Sequence, residues 1–456
     1  MQDLTQGPIP RHLIGMALPI AIGMLFQTAY VLIDLYFVAR LGDSAIAGVG
    51  TAANAAFVVM ALTQVLGVGT VSLIARAVGA RDFALATLGF NQSLTLSAIA
   101  GLGTLLAGWL GMDAYMNALG ADPATVAAGK DYLHWYLPGL ALQFAMVALG
   151  SALRGTGTTK PTMLVQMVTV VINAILAPVL VAGWGTGKPM GVAGAGLASS
   201  IAIAVGVVLL WWYFRRLEHV VRVRRPLLKP QWPTCRRILA VGLPAGGEFA
   251  LMFVYMALIY YVTREFGAAA QAGFGAGQRV MQAVMLPAMA VAFAVTPLAG
   301  QNFGARRFDR VRESFKSAAL LGSALMLALT VLCQWQAEAL LRPFSSDPQV
   351  LAHGVEFLHY IALNFVTSGL VFTISGMFQA LGNSVPALIS SATRLLTFSL
   401  PLLWLAAQPG FALTTIWKLS IASVLVQVSL SWWLLRREFA RKLRAPAPAV
   451  TDPAAA

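Results

Sequence analysis

The sequence predicts an all-α integral membrane protein in which twelve transmembrane helices form two pseudo-symmetric six-helix bundles. Three observations predict this fold: the composition, the spacing of apolar stretches and an internal repeat. Hydrophobic residues make up 58% of the 456 residues and charged residues only 11%, with a mean hydropathy of +0.75. Soluble proteins usually carry about 25% charged residues. The composition therefore excludes an ordinary soluble enzyme or a disordered chain, and two cysteines are too few for a disulfide scaffold.

Twelve apolar stretches are each long enough to cross about 30 Å of hydrocarbon as a helix. A helix satisfies its own backbone hydrogen bonds in lipid, and continuous apolarity rather than alternation argues against an outer-membrane barrel. The predicted spans are 12–38, 45–75, 87–110, 131–152, 162–183, 191–214, 238–262, 270–299, 317–334, 355–380, 386–406 and 413–435.

The loops between successive spans lie on alternate sides of the membrane, and Lys and Arg are distributed unevenly between these two sides. Of the 31 Lys and Arg residues, 23 fall on one side and 5 on the other. Cytoplasmic loops carry the excess of Lys and Arg, so the pattern predicts a multi-pass protein of the plasma (inner) membrane with both termini in the cytoplasm. Orientation and contact with anionic lipid explain the net charge of +14 better than nucleic-acid binding does.

The chain repeats itself at a constant offset of 225 residues. Leu18-Pro19 recurs as Leu243-Pro244, and Gly79-Ala80-Arg81 recurs as Gly304-Ala305-Arg306. Further matches keep the same offset on corresponding helices and loops, which chance does not easily produce. With six spans in each half, the repeat is parallel, and an axis along the membrane normal should relate the halves.

The repeat predicts the domain organisation. An N-terminal six-helix lobe covers 1–214, a basic cytoplasmic linker 215–237, a C-terminal six-helix lobe 238–440 and a cytoplasmic tail 441–456. Two similar bundles create a cleft at their interface, and rocking one against the other opens it to each side in turn. This architecture is typical of a carrier, and no channel filter motif is visible.

Several segments resemble motifs of the MATE family, the multidrug and toxic compound extrusion transporters. The segment 34–42 is similar to the family's first-helix signature, an aspartate eight residues before a glycine. The other similar segments are 75–82, 153–161, 191–198 and 297–305. The resemblance covers nearly the whole chain, and the spacing around Asp34 is closer to the DinF-like branch than to the NorM-like branch.

The resemblance implies a MATE-like fold and a secondary active transporter, not an enzyme. Such an antiporter exports amphipathic, often cationic, drugs and toxic compounds in exchange for inward H⁺ or Na⁺, and it uses no cofactor. The chain has no P-loop pattern that would supply ATP hydrolysis. Its expected partners are small-molecule substrates, the coupling ion and membrane lipid, and it is expected to be a monomer.

Asp34, in the middle-to-outer part of the first span, is the candidate ion-coupling residue. A charged side chain at the bilayer centre costs about 2.5–3.5 kcal/mol on insertion scales, so it usually faces a polar cavity or a partner. The family's coupling-ion aspartate matches this position, and a packing hydrogen bond is the alternative role. Tyr30 lies one turn earlier on the same face. The resemblance adds Asn173 and Ser199 as polar site residues.

Proton binding would neutralise Asp34 and bias the first helix between two packings, which would couple H⁺ entry to substrate release. Relatives often have an aspartate four residues after the equivalent of Asn173, where this chain has Ala177. Hard cations need several oxygen ligands, so this departure weakens a Na⁺ site and favours H⁺.

Glu248 resembles a seventh-helix glutamate found in a subset of the family. Arg279, in the eighth span, is its predicted electrostatic partner. Two roles stay open for this pair: a buried ion pair that fixes packing, or a coupling or substrate site.

A cleft for amphipathic cations favours aromatic faces and methionine. Most such side chains face lipid or core, so the candidates for substrate contact are few. Besides Tyr30, they are Phe144, Met252, Tyr255, Met281 and Met285. The five histidines lack metal-ligand spacing, and no metal site is predicted.

Two other classes of protein are alternatives to the drug exporter. A lipid-linked oligosaccharide flippase of the same broader fold would favour a strongly cationic cavity, for which only Arg279 and Arg394 are candidates. A membrane enzyme acting on lipid would need a nucleophile, a metal or an acid–base cluster, and none is visible in the sequence.

Overall fold

The computed structural model describes residues 3–120, 122–216, 218 and 220–443. Most of the predicted tail, 441–456, lies outside these residues. The described residues form thirteen α-helices and two short 3₁₀ turns. The helices are α1 (Ile9–Ala39), α2 (Asp43–Gly79), α3 (Phe83–Leu119), α4 (Pro123–Gly155), α5 (Lys160–Ala182), α6 (Val192–Arg216), α7 (Trp232–Thr263), α8 (Ala268–Gly304), α9 (Phe308–Leu341), α10 (Pro348–Ala362), α11 (Phe365–Ala380), α12 (Val385–Ala406) and α13 (Leu413–Lys442).

These helices confirm the predicted all-α membrane fold. By length and composition, 11 single helices can cross a membrane, and α10 with α11 forms a further span bent by 54°. The helices of the first half form one bundle (the N-lobe, α1–α6) and those of the second half another (the C-lobe, α7–α13). The lobe boundaries at 214 and 238 stay predictions; α6 ends at Arg216 and α7 begins at Trp232.

Most helices are longer than the predicted spans. The predicted span 87–110 lies within α3, whose N-cap residue Asp82 accepts the Leu85 backbone N–H at 2.9 Å. The span 131–152 lies within α4, which Asp122 caps in the same way. Hydropathy marks the hydrocarbon region, whereas side-chain caps decide where a helix begins.

The helix bounds follow the predicted repeat. Residues 43–79 of α2 correspond to 268–304 of α8 at the offset of 225, and α4 corresponds to α10 and α11 together. Arg81 and Arg306, which are equivalent residues, both take left-handed backbone angles, with φ of 59° and 57°. The two halves therefore share their helix ends as well as their sequence motifs.

The tenth span departs from the prediction of one continuous helix. It breaks between α10 and α11, at Leu363 and Asn364. Its repeat equivalent, α4, is continuous although Pro138 occupies the position that corresponds to Leu363. Asn364 is 3% exposed and donates to the Ser420 hydroxyl at 3.5 Å. A contact distant in sequence therefore accompanies the break.

The lobes meet along an interlobe seam on the side of the membrane where α2 and α8 end, called here the basic side. A β-carbon on Gly79 would collide with the Gln301 backbone, and one on Gly304 would collide with the Arg76 backbone. Hydrogen bonds also cross the seam, from the Ser72 hydroxyl to the Gln379 carbonyl at 2.6 Å. Small residues at the crossing let the two backbones approach closely.

Toward the opposite side, α2 is less enclosed by its neighbours. The end of α2 that lies in the seam, from Leu66 onward, is almost continuously buried, whereas Phe57 and Val58 are 47% and 63% exposed. Phe57 still reaches Phe253 of α7, with ring centroids 5.2 Å apart. Close packing between the lobes is therefore concentrated at the basic side.

Candidate functional site

The Asp34 carboxylate lies inside the N-lobe, where two other helices supply a hydrogen-bond donor each. The Asn173 amide of α5 donates to Asp34 Oδ1 at 2.7 Å, and the Ser199 hydroxyl of α6 donates to Asp34 Oδ2 at 2.8 Å. Asn173 and Ser199 are both fully buried. The structure therefore brings together three of the residues that the sequence singled out, and Asp34 faces polar groups instead of lipid.

Aromatic hydroxyls surround this carboxylate. Tyr30 of α1 lies within electrostatic range of Asp34. Sequence reasoning missed Tyr132 and Tyr136 of α4, which lie within the same range and whose ring centroids are 5.0 Å apart. Their spacing of four residues places them on one face of a helix, and that spacing was the signal available in the sequence.

Two buried polar atoms beside Asp34 have spare hydrogen-bonding capacity. Within the described part of the chain, the Asn173 carbonyl Oδ1 has no hydrogen-bond partner, and the Tyr30 hydroxyl has only Ser199 beside it, without regular hydrogen-bond geometry. Buried polar groups are normally paired, so each unpaired one calls for an explanation. Both atoms can accept a hydrogen bond, which a carboxylate cannot donate but a carboxylic acid can.

Helix α1 connects this site to the seam. Its first turns, with Leu13 and Met16, pack against Val291 and Leu298 of α8 in the C-lobe. Its last turns carry Asp34 into the N-lobe. The same helix therefore contributes both to the carboxylate site and to the interface between the lobes.

Glu248 lies halfway along α7 and is held by two serines. The Ser375 hydroxyl donates to Glu248 Oε2 at 2.8 Å, and Ser391 donates to Oε1 at 3.5 Å. The predicted Glu248–Arg279 ion pair is wrong: among the described residues Glu248 forms no salt bridge, and the Arg279 guanidinium lies 5.9 Å from the Phe344 ring centre. Helices α7 and α8 follow each other in the chain but barely touch, because α7 packs on α2 and α12.

The residues predicted to contact substrate differ in their exposure. Met252 is 42% exposed and Met281 is partly exposed, so both are accessible. Tyr255 and Met285 are nearly buried in the C-lobe core. Phe144 is 1% exposed among the side chains of the N-lobe core, so its prediction as a cleft residue is wrong for this conformation.

Arg394, on α12, is a second cation of the C-lobe interior. Its guanidinium lies 4.5 Å from the Tyr255 ring centre, in the geometry of a cation–π contact. Its Nε is buried and has no hydrogen-bond partner in the described part of the chain. No described group of three or more His, Cys, Asp or Glu residues has the arrangement of a metal site.

Two matched helical lobes that meet along a seam, with a partly buried carboxylate inside one lobe, are typical of a membrane carrier. A family model described as MatE matches residues 19–179 and 244–405, two segments that begin 225 residues apart. The chain therefore belongs to the MatE family of transporters and is not an enzyme.

Relatives and solved structures agree with this assignment. The chain is 26% identical over 418 residues to the probable multidrug resistance protein YpnP of Bacillus subtilis, covering 91% of this chain and 90% of that protein. It is 24% identical over 404 residues to a FAD transporter of Shewanella oneidensis, covering 88% of each chain. A MOP superfamily transporter from Pyrococcus furiosus has the same fold, with a TM-score of 0.90 at 23% identity over 97% of this chain and 98% of that one.

Proposed function

We propose that this protein is a proton-coupled antiporter that exports amphipathic, often cationic, drugs and toxic compounds by alternating access. The observation that carries the proposal is the Asp34 carboxylate, held inside the N-lobe by donors from Asn173 and Ser199. A lone ionisable group in a membrane span is a functional site by default. The name of the Bacillus subtilis relative, a probable multidrug resistance protein, supports the substrate class.

The donor set favours H⁺ over Na⁺ as the coupling ion. Asn173 and Ser199 already donate to both Asp34 oxygens, so a sodium ion would have to displace these hydrogen bonds to reach the carboxylate. Ala177, one turn beyond Asn173, adds no further oxygen from its side chain. A single proton needs only the carboxylate itself.

Protonation of Asp34 would change its hydrogen bonds. The carboxylate accepts two charge-assisted bonds, whereas the neutral acid accepts weaker ones and donates one of its own. Asn173 Oδ1, which has no partner in the described part of the chain, and the Tyr30 hydroxyl oxygen are acceptors for that new donor. The resulting shift of α1 relative to α5 and α6 would be transmitted along α1 to the seam with α8.

The direction of exchange follows from the charge distribution. The basic side is proposed to be cytoplasmic, because Lys and Arg accumulate in cytoplasmic loops. The cleft then opens to the outside, where a proton reaches Asp34 and substrate leaves. Return to a conformation open to the cytoplasm would release the proton and admit the next substrate.

Glu248 is proposed to attract cationic substrates instead of binding the coupling proton. Its two serine partners hold it in the C-lobe, and Met252, one turn further along α7, is exposed. A carboxylate beside an exposed thioether suits an amphipathic cation. Its repeat equivalent in the N-lobe is Gly23, so this charge is present in one lobe only.

Efflux of a fluorescent cation from liposomes tests the coupling directly. Purified protein is reconstituted, and efflux is compared under an imposed pH gradient and an imposed Na⁺ gradient. We expect transport under the pH gradient only, and Asp34→Asn at the background of empty liposomes. Asp131→Asn, the same chemical change at an exposed position on α4, is the matched control. Proton-driven efflux that survives in Asp34→Asn would remove this residue from the mechanism.

The same liposomes test the substrate class. Glu248→Gln is expected to raise KM for the cation severalfold while leaving the dependence on the pH gradient intact.

Export of anionic aromatic compounds is the second candidate function, favoured by the unpaired Arg394 Nε beside Tyr255 and by the relative named a FAD transporter. FAD efflux that exceeds cation efflux, and that Arg394→Gln abolishes, would select this second candidate.

A further inference from the structure

A cationic cavity lies between the lobes at the basic side of the seam. Its volume is about 570 Å³. Four cations line it: Arg76 from the end of α2, Arg237 from the start of α7, Arg306 from the turn after α8, and Lys442 from the end of α13. The cavity thus collects positive charge from both lobes at one point, far along α1 from Asp34.

Few carboxylates compensate for these charges. Asp82 is the acidic residue among those that line the cavity, and it is engaged as the N-cap of α3. Glu438 lies nearby but is shared between Arg441, at 2.8 Å, and Lys442, at 2.9 Å. Within the described part of the chain, neither Arg76 nor Arg237 forms a salt bridge.

The guanidinium of Arg76 is the cation most tightly enclosed. Its Nε donates to the Ser72 carbonyl at 3.0 Å. The guanidinium reaches across the seam to Gly382 of the C-lobe, where a β-carbon would overlap it. Arg76 also lies within repulsive range of Arg237 and Lys442. Like charges held together in this way destabilise an empty site, and a bound anion relieves the repulsion.

We propose that this cavity binds an anion that carries a phosphate group and that the bound anion stabilises the closed seam. Guanidinium groups match phosphate geometry through paired N–H donors. The volume exceeds that of one phosphate ion, so it also admits the headgroup of an anionic phospholipid. Because the cations belong to both lobes, the anion bridges the lobes and opposes opening at the basic side.

Phosphate binding to the full-length protein tests the site. Purified protein in zwitterionic micelles is titrated with inorganic phosphate at constant ionic strength, and the thermal unfolding midpoint and the Kd are measured. We expect phosphate to raise the midpoint where the same ionic strength of potassium chloride does not. Arg237→Gln and Arg306→Gln are each expected to weaken binding about tenfold, since each removes a charge-assisted hydrogen bond.

The neighbouring Arg236 gives a matched control, because it is exposed on the same helix turn but does not line the cavity. Arg236→Gln should keep the wild-type affinity. Equal weakening in Arg236→Gln, or no weakening in either cavity variant, would overturn the proposal and leave only diffuse surface charge.

A second arm distinguishes the source of the phosphate. Protein in vesicles of phosphatidylcholine is compared with protein in vesicles that also contain phosphatidylglycerol, and lipid retention is read by native mass spectrometry. Retention of phosphatidylglycerol that depends on Arg237 identifies a lipid headgroup. Binding of inorganic phosphate without such retention identifies a soluble phosphate compound. Failure of both arms would overturn the proposal, and none of these outcomes depends on which substrate is transported.

Discussion

At the scale of single residues, Asp34 ties three helices together. Its two oxygens accept one hydrogen bond from α5 and one from α6, while the residue itself belongs to α1. Hydrogen bonds to an ionised group are roughly twice as strong as bonds between neutral groups. In the proposed mechanism, protonation would therefore loosen α1 from both neighbours at once.

Ser199 and Ser200 are adjacent on α6, and comparing their alanine variants distinguishes a role in ion coupling from a role in helix packing. Ser199 donates to Asp34, whereas the Ser200 hydroxyl donates to the Trp135 carbonyl and accepts the Gly139 N–H at 3.0 Å. Ser199→Ala is expected to lower proton-driven efflux about tenfold and to cost about 1.5–3 kcal/mol of stability, since it removes a hydrogen bond to a charged group. Ser200→Ala is expected to cost about 0.6 kcal/mol of stability, typical of hydrogen bonds between membrane helices.

Efflux rates in liposomes and unfolding midpoints in micelles measure the two effects on the same preparations. If Ser199→Ala, like Ser200→Ala, loses stability but keeps its efflux rate, the hydrogen bond from Ser199 to Asp34 only fixes packing. That result would make the packing role of Asp34 the correct one of the two that its sequence allows.

The sequence predicted the polar contacts of Asp34 and one aromatic neighbour, Tyr30, but not the other two aromatic residues around it. Asn173 and Ser199 were found through resemblance, because family motifs carry information on side chains far apart in the chain. Tyr132 and Tyr136 were missed, since aromatic residues are common in membrane helices and their spacing alone does not say which neighbour they face. The predicted pairing of Glu248 with Arg279 failed because the sequence does not show which helices pack together, and the consecutive helices α7 and α8 barely touch.

At the scale of helices, the crossing of α2 and α8 repeats the internal symmetry. Gly79 packs on Gln301, and Gly304 packs on Arg76. Each pair of equivalent residues is separated by 225 positions, so the same contact occurs twice about the pseudo-symmetry axis. The seam is closed because both of these glycines lack a β-carbon.

Gly79→Ala is expected to loosen the seam. The added methyl group has no room against the Gln301 backbone, and overpacking of this kind typically costs about 1–3 kcal/mol. Cys235 reports the opening, because its buried thiol lies 3.3 Å from the Gln92 amide oxygen where α7 meets α3. Alkylation of Cys235 should therefore be faster in Gly79→Ala than in the wild type.

Gly111→Ala is the control for this change, since a β-carbon at Gly111 meets nothing within 4 Å. It should leave the alkylation rate unchanged and keep or slightly raise stability, because alanine is the better helix former. Alkylation of Cys235 at the wild-type rate in Gly79→Ala would show that the two helices yield without opening the seam.

Hydrophobic stretches and the constant offset were enough to predict the number and order of the membrane spans, and which span of one half corresponds to which span of the other. They could not predict the break in the tenth span. Its sequence contains neither proline nor glycine at Leu363 and Asn364, and the accompanying contact comes from Ser420, 56 residues further along the chain. A helix break that depends on a contact with a distant part of the chain cannot be recognised from the residues at the break.

At the scale of the whole molecule, the two lobes share a fold but not a chemistry. Asp34 of the N-lobe corresponds to Ile259 of the C-lobe, and Glu248 of the C-lobe corresponds to Gly23. In the proposed mechanism, equal lobes supply the symmetry that would let the cleft open to either side. Unequal charges assign one lobe to the proposed coupling ion and the other to the proposed substrate, so that the two need not compete for one carboxylate.

The proposed direction of export depends on which side of the membrane is basic, and single cysteines can establish it. Thr186, in the loop after α5, and Arg225, between α6 and α7, are exposed on opposite sides, while the native Cys235 and Cys333 are buried. An impermeant thiol reagent applied to intact cells should label Thr186→Cys strongly. Arg225→Cys should react only after the cells are permeabilised, because the basic segment is predicted to be cytoplasmic. The reverse pattern would place the open cleft on the cytoplasmic side, so that the conformation described here would take up substrate instead of releasing it.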